Sequence, residues 1–318
     1  MFAFLFPGQG SQSPGMGKFL YDEFKIARET FEEASDAIQI DIKKLCFTES
    51  AETLSLTENT QPALLTVSTA TSRVLQNQFG AKPQMTAGHS IGEYASFVLG
   101  EVLSFKDAVR AVRVRGQAMQ SAVPIGQGGM TATLGLTEEQ VLALCAWAQK
   151  ETGLSPLSPA NYNCDGQIVI SGNLQILDWL KINFKAEILP GEPKRAKLIP
   201  LQVSAPFHCE MMKPAEVKMD SFFQKIKFGN SNLPIIQNVH ARAEVASEIL
   251  KKNLIAQISA PVRWTQSMTT LKERNISNVI EVGNGSVLKG LLKKIDADFF
   301  KVSSTNSLED LKAIEKLN

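Results

Sequence analysis

Short apolar runs alternate with amphipathic stretches along the chain. The run Phe2–Phe6 predicts a buried strand, which the proline- and glycine-containing residues 7–10 break. Helical patterns follow at residues 21–39 and 60–79, and Thr60 is the predicted opening residue of the second helix. The opening of the chain is therefore predicted to be a strand, a polar loop and two helices.

A clear helical pattern covers residues 104–122. Ser104 is the predicted N-cap, with Asp107 three residues on in an arrangement like a capping box. At about 100° per residue, one face collects Phe105, Ala108, Val109, Val112 and Met119. Arg115 lies at the margin of this apolar face. A guanidinium that borders a buried surface needs an anion, so Arg115 is a candidate binding residue.

The pattern changes between residues 127 and 200. Predicted strands at 130–136, 158–162, 167–171 and 197–201 enclose predicted helices at 137–150 and 173–185. This βαββαβ order predicts a ferredoxin-like insertion. Beyond it, helices are predicted at about 209–225 and before Gln257, and a strand at 278–282 precedes a helix that runs to Lys294.

The segment Gly88-His89-Ser90-Ile91-Gly92 carries the strongest chemical signal. It follows a short apolar run at residues 84–87 and precedes a helical pattern at 91–99. A G-x-S-x-G turn between a strand and a helix presents an exposed serine on a strained bend, where side chains two residues away would collide. The amides of the helix N-terminus favour negative charge beside that serine. The pattern predicts covalent acyl-enzyme chemistry on Ser90.

Composition excludes several classes of protein. The 318 residues are 44% hydrophobic, which suits one large domain or a domain with an insertion. With 33 basic and 32 acidic residues, the net charge is only +1, so the chain lacks the excess of positive charge that is typical of nucleic-acid-binding proteins. Four cysteines without C-x-x-C pairing and three histidines predict neither disulfides nor a zinc cage. Without a membrane-spanning run or a signal-peptide pattern, the predicted location is the cytoplasm.

Further motifs stand in a recognisable order along the chain. They are T-Q-P-A-L at 60–64, R-G-Q-A-M at 115–119, S-A-P-F-H at 204–208, P-V-R-W at 261–264 and E-V-G at 281–283, after F-P-G-Q-G-S-Q at 6–12. Together with the serine turn, they make the chain resemble the bacterial malonyl-CoA:acyl carrier protein transacylases over nearly its full length.

The resemblance implies an α/β fold with two parts. An α/β-hydrolase-like catalytic domain with a parallel sheet would comprise residues 1–126 and 201–318, and the ferredoxin-like small domain residues 127–200. Ser90 would be the nucleophile and His208 the base, as a dyad. A main-chain carbonyl near a glutamine that matches Gln257 would orient the histidine.

The resemblance also implies how the substrate is held. Backbone amides of Gln9 and Ile91 would form the oxyanion hole, and Arg115 would pair with the malonyl carboxylate. The implied partners are malonyl-CoA and an acyl carrier protein, with no cofactor in a monomeric chain. Asn284 and Ser286 depart from the family pattern, which often has proline and lysine there, so that carrier docking is less firmly implied than catalysis.

Three alternatives remain open at this point. A discrete polyketide-synthesis acyltransferase would share the dyad, and a noncatalytic carrier-binding module would not need it. A serine hydrolase would use an acidic residue between serine and histidine in the chain, where Asp165 and Asp178 stand.

Among the remaining polar residues, His89 is interpreted as support for the serine turn, His240 as structural, and Asn161 and Asn163 as part of a turn.

Overall fold

A computed structural model describes residues 1–203 and 205–315, and over these residues the chain forms two sheets with helices around them. The strands are β1 Phe2–Phe6, β2 Met85–Gly88, β3 Gly128–Leu134, β4 Leu157–Cys164, β5 Gln167–Asn173, β6 Lys197–Pro200, β7 Ile235–Ile236, β8 Ala243–Glu244, β9 Asn278–Glu281 and β10 Lys301–Ser303.

The helices of the first half are α1 Lys18–Glu23, α2 Lys25–Ile38, α3 Ile42–Phe47, α4 Ala51–Ser55, α5 Thr57–Phe79, α6 Gly92–Leu99 and α7 Phe105–Ser121. Those of the second half are α8 Glu138–Thr152, α9 Leu174–Asn183, α10 Lys213–Phe223, α11 Ser247–Ala256, α12 Trp264–Glu273, α13 Val287–Asp296 and α14 Leu308–Ile314. None of the helices in these ranges has both the length and the apolarity to cross a bilayer.

The large sheet has the strand order β10-β9-β1-β2-β7-β8 and is parallel except for β8. Side chains alternate across its central strand β1. Phe4 and Phe6 enter the core on the side of α2, α5 and α7, while Ala3 and Leu5 pack with Trp264 and its neighbours on the other face. Because both faces are covered, β1 is an uninterrupted apolar run, as parallel strands commonly are.

The second sheet is antiparallel, in the order β4-β5-β3-β6, with α8 and α9 packed against it. This is the ferredoxin-like arrangement that the βαββαβ order predicted. The sheet joins the rest of the chain where Val262 N–H donates to Ala160 O and Tyr162 N–H donates to Val262 O. It lies within residues 127–200, although the domain limits themselves stay predictions.

The predicted bounds of the first two helices were wrong. Residues 21–39 form two helices divided at Phe24, and α5 begins at Thr57 rather than Thr60. Pro62 therefore lies inside α5 and cannot donate to the Glu58 carbonyl, which accepts from Arg113 Nη1 instead.

Some further elements differ from the predictions or were not predicted at all. Asn161 and Asn163 belong to strand β4 rather than to a turn. The short elements α3, α4, β7, β8, β10 and α14 were not predicted, because a few residues carry too little periodicity. Ser204 of the S-A-P-F-H motif, and residues 316–318 of the predicted catalytic domain, lie outside the described residues.

The turn between β2 and α6 depends on its two glycines. A Cβ on Gly88 would lie 2.0 Å from the Gly92 carbonyl carbon, and one on Gly92 would lie 2.2 Å from Phe6 O. Between them, Ser90 has a φ of 52°, a left-handed conformation that is uncommon for a residue with a side chain. Close packing of strand against helix therefore strains the backbone at the serine.

Replacing Gly88 by alanine should lower the free energy of unfolding by about 3 kcal/mol, because the new methyl group meets backbone atoms that cannot rotate away. The matched control is Gly290→Ala, an exposed position in α13 where a Cβ meets nothing within 4 Å. The control should leave stability unchanged or raise it by up to about 1 kcal/mol. Urea denaturation measures both variants, and equal stabilities would contradict the steric argument.

Candidate active site

Ser90 and His208 lie in direct contact although 118 residues separate them. Ser90 Oγ is 2.7 Å from His208 Nε2. The other ring nitrogen, Nδ1, is 2.8 Å from Gln257 O, and a carbonyl oxygen only accepts, so Nδ1 carries the proton. In the neutral ring Nε2 is then an acceptor that faces the serine hydroxyl, as a general base requires.

Burial keeps this imidazole neutral. His208 is 3% exposed, and desolvation, followed by the nearby charge of Arg115, lowers its pKa to about 3. The hydrogen bond to Gln257 O acts in the opposite direction but is the weaker effect. His208 is therefore in its basic form throughout the neutral pH range.

Arg115 is the second group on the serine. Its Nη2 donates to Ser90 Oγ at 3.2 Å and to Gln257 Oε1 at 3.0 Å. The side chain is 1% exposed, and its Nε has no acceptor among the described residues. Within the same residues, no acidic side chain lies within ion-pair distance of it. A buried cation without a salt bridge is costly, so the site suits an anionic ligand.

The two predicted oxyanion-hole residues border the same serine. Gln9 follows the carboxyl end of β1, and Ile91 follows Ser90 at the start of α6. Over residues 1–203 and 205–315, neither backbone N–H has a protein acceptor. Both amides are therefore available to a ligand oxygen, although their role in catalysis stays a prediction.

A cavity of about 110 Å³ opens on this group of residues. Its walls come from the carboxyl ends of the parallel strands, from α5 and α7, and from the small sheet, which is where ligands bind in open α/β sheets. They are Gln9, Gln61, His89, Ser90, Ile91, Arg115, Met119, Met130, Asn161, Leu201, Val203, Phe207 and His208. The wall is mostly apolar, with polar groups at the serine end.

A buried polar network beneath the serine turn was missed in the sequence analysis. Asn238 holds the turn, since its Oδ1 accepts from Ser90 N at 2.7 Å and its Nδ2 donates to Gly88 O. Glu93 accepts from Asn238 N and from Gln257 Nε2. A carboxylate inside the apolar helix that follows Ser90 was a signal for Glu93, whereas nothing local marks Asn238.

Gln61 was also missed as a pocket residue. It lies on α5 within the T-Q-P-A-L motif, and its Oε1 is buried with no donor among the described residues. A buried acceptor without a partner at the pocket wall is a further polar group that a ligand donor or a water would satisfy.

The remaining polar residues take other positions. His89 Nε2 lies 2.8 Å from Asn163 Oδ1, which ties the serine turn to strand β4. His240 is half-buried beside Asn253, away from the dyad. Asp178 pairs with Lys181, and Gln257 O occupies Nδ1 of His208, so neither Asp178 nor Asp165 completes a serine hydrolase triad. The described residues contain no cluster of His, Cys, Asp or Glu suited to a metal ion.

A strained serine between strand and helix, paired with a neutral histidine over a parallel sheet, is the arrangement typical of α/β enzymes that form acyl-serine intermediates. The chain belongs to the acyl transferase domain family, whose profile matches residues 3–305.

Its relatives carry a common name. A malonyl CoA-acyl carrier protein transacylase of Staphylococcus aureus (strain MRSA252) is 40% identical over 311 residues, which cover 98% of this chain and 97% of that protein. The solved structure of the transacylase of the same name from Coxiella burnetii superposes with a TM-score of 0.92 at 36% identity, covering 99% of this chain and 96% of that one.

A third relative was solved with a partner. It is a malonyl-transacylase in complex with a type II polyketide synthase acyl carrier protein, with a TM-score of 0.92 at 38% identity over 100% of this chain and 99% of the other. The family resemblance and the α/β fold predicted from the sequence are thereby confirmed.

The depressed pKa of His208 predicts how the reactivity of Ser90 depends on pH. An uncharged sulfonyl fluoride needs the neutral imidazole but no Arg115 contact. Its rate of reaction with Ser90 should stay constant as the pH falls from 8 through 6.5, which is the ordinary pKa of histidine. Inactivation kinetics measure this rate, and a midpoint at or above pH 6.5 would contradict the proposed burial effect.

Proposed function

We propose that this protein transfers the malonyl group from malonyl-CoA to the phosphopantetheine thiol of an acyl carrier protein and so supplies fatty acid synthesis. The observation that carries the proposal is the position of Ser90 Oγ, 2.7 Å from the base nitrogen of His208 and 3.2 Å from the Arg115 guanidinium. One hydroxyl thus faces both a proton acceptor and a fixed positive charge.

The first half-reaction acylates the serine. His208 Nε2 takes the Ser90 proton as Oγ attacks the thioester carbonyl carbon of malonyl-CoA. The tetrahedral intermediate then collapses, the C–S bond breaks, and the coenzyme A thiolate leaves with the proton from His208. The product of this step is malonyl-Ser90 with a neutral imidazole.

The second half-reaction reverses these steps on a different thiol. The carrier's phosphopantetheine sulfur attacks the ester carbonyl while His208 removes its proton. When the C–O bond breaks, the proton passes to Ser90 Oγ and the free enzyme is restored. The cycle needs no resident cofactor, since the phosphopantetheine belongs to the carrier.

Two backbone amides would stabilise the tetrahedral intermediates of both half-reactions. The N–H groups of Gln9 and Ile91 border the pocket and have no acceptor among the described residues. Each such donor contributes on the order of 3 kcal/mol to transition-state stabilisation in comparable sites. In this proposal they hold the oxyanion that forms twice per cycle.

Arg115 would select the acyl group. A planar guanidinium matches a carboxylate in two parallel hydrogen bonds, and its charge is permanent. Since its Nε is buried without an acceptor in the described part of the chain, a malonyl carboxylate would both supply an acceptor and neutralise the charge. An acetyl group has no carboxylate, so it would supply neither this acceptor nor a negative charge.

A second candidate is a discrete polyketide-synthesis acyltransferase, which the likeness to the complex with a polyketide carrier favours. It shares every chemical step and differs in the carrier that accepts the malonyl group. In either case we propose a monomer in the cytoplasm, consistent with four buried cysteines that are all free thiols.

Ser90→Ala should abolish the covalent malonyl intermediate, because the Ser90 hydroxyl is the group that contacts His208 Nε2 within residues 1–203 and 205–315. Intact-mass spectrometry after mixing with malonyl-CoA should show a malonyl adduct on the wild type and none on the variant. Adding a fatty acid or polyketide carrier should then move the malonyl group to the preferred one. Release of malonate to water without transfer would point to a hydrolase, and an adduct on the variant would mean another nucleophile.

Arg115→Ala should reduce malonyl transfer far more than acetyl transfer, lowering the malonyl-to-acetyl ratio of kcat/KM on the order of 100-fold, as expected for a lost buried charge pair. The matched control is Arg113→Ala on the same helix, whose guanidinium binds Glu58 and Asn59 outside the pocket. The control should leave the ratio unchanged. A proportional loss for both acyl groups in Arg115→Ala would refute the carboxylate role.

A further inference from the structure

Glu93 lies beneath the serine turn, in the first turn of α6, and its side chain is fully buried. Its Oε2 accepts from Asn238 N at 2.9 Å and from Gln257 Nε2 at 3.0 Å, and its Oε1 accepts from Gln237 Nε2 at 3.3 Å. All three partners are donors, so the ionised carboxylate is the form that satisfies them.

Gln257 links this carboxylate to the reacting groups. With its Nε2 directed at Glu93, its Oε1 must face the other way, where it accepts from Arg115 Nη2 at 3.0 Å. The main-chain carbonyl of the same residue accepts from His208 Nδ1. Gln257 therefore contacts both groups, the guanidinium through its side-chain amide and the base through its main-chain carbonyl.

The charge of Glu93 also acts directly on Arg115. The two side chains are buried in the same region, and each electrostatically favours the ionised form of the other. They do not form an ion pair, which leaves the guanidinium free for a ligand carboxylate while its charge is still balanced at longer range.

We propose that Glu93 is a positioning residue for acyl-group selection: through Gln257, its carboxylate aims the Arg115 guanidinium into the pocket. This inference rests on the proposed malonyl transfer. Without the carboxylate, Gln257 Nε2 would lose the charged one of its three acceptors and keep the uncharged ones, Ser90 O at 3.0 Å and Asn238 Oδ1 at 3.3 Å. The less firmly held amide could then rotate and present N–H groups to the guanidinium, displacing it.

The groups that face Glu93 define what its protonation does. Arg115 from α7 is the charged neighbour that lowers the pKa of Glu93, and Glu93 in turn raises the pKa of Tyr94 on its own helix. The amides of Gln237, Asn238 and Gln257 complete the surroundings. Burial raises the pKa of Glu93 to about 7, against the opposing effect of these donors and of Arg115. The carboxylate is therefore lost as the pH falls through neutrality.

The decisive variant is Glu93→Gln, which keeps the shape and removes the charge and one acceptor. The malonyl-to-acetyl ratio of kcat/KM should fall at least about tenfold, the factor for one hydrogen bond to a charged group. Glu93→Asp, which keeps the charge, should retain more of the ratio than Glu93→Gln. Combining Glu93→Gln with Arg115→Ala should lower the ratio no further than Arg115→Ala alone, because both changes act through the same guanidinium.

The matched control is Glu281→Gln. Glu281 is equally buried and accepts from the amides of Leu288 and Lys289 at the start of α13, away from the pocket. It should lose stability without changing the ratio. A merely structural role for Glu93 would give the same result, with both acyl groups slowed equally, and would overturn the inference.

The pH dependence gives a second readout. In the wild type the malonyl-to-acetyl ratio should decrease from pH 8 to pH 6 as Glu93 takes up a proton, and in Glu93→Gln it should be flat over this range. Equal profiles would overturn the inference. The malonyl-Ser90 adduct is measured in parallel: its absence from the wild type would refute the proposed function, whereas its presence with an unchanged ratio in Glu93→Gln would refute only the role of Glu93.

Discussion

The buried positive charge of Arg115 is the constraint on which the site depends. A guanidinium at 1% exposure, without an ion pair in the described part of the chain, must be compensated by oriented neighbours. Gln257 Oε1 and the more distant Glu93 supply that compensation. The same charge adds to desolvation, which is the larger effect, in keeping His208 neutral.

The carboxyl ends of the parallel strands bring these groups together. Gln9 follows β1, Ser90 follows β2 and Asn238 follows β7, and neighbouring parallel strands end at one edge of the sheet. The short loops there carry the polar atoms, while the strands stay apolar and buried. Loops placed on a rigid sheet allow a strained serine to persist, since the packing of Gly88 against Gly92 leaves the turn no room to relax.

The small antiparallel sheet contributes residues to the pocket and contacts the serine turn. Met130 and Asn161 line the pocket, and the Asn163 side chain contacts His89 next to Ser90. Hydrogen bonds from Val262 to strand β4 fasten this sheet to the segment that follows Gln257. The small sheet is therefore joined to the serine turn by a side-chain contact and to Val262 by backbone hydrogen bonds, and a shift of this sheet would change the width of the pocket.

The sequence by itself determined the serine turn, the ferredoxin-like order and helix α7, because strand, helix and turn preferences act over a few neighbouring residues. Through its motifs it also identified Ser90, His208, Arg115 and Gln257 as a group. Only the tertiary structure decided which carbonyl holds the histidine and that Glu93 and Asn238 lie beneath the turn. The contacts of Glu93 and Asn238 join residues up to 164 positions apart, and no local pattern encodes a pairing that arises when separate strands end side by side.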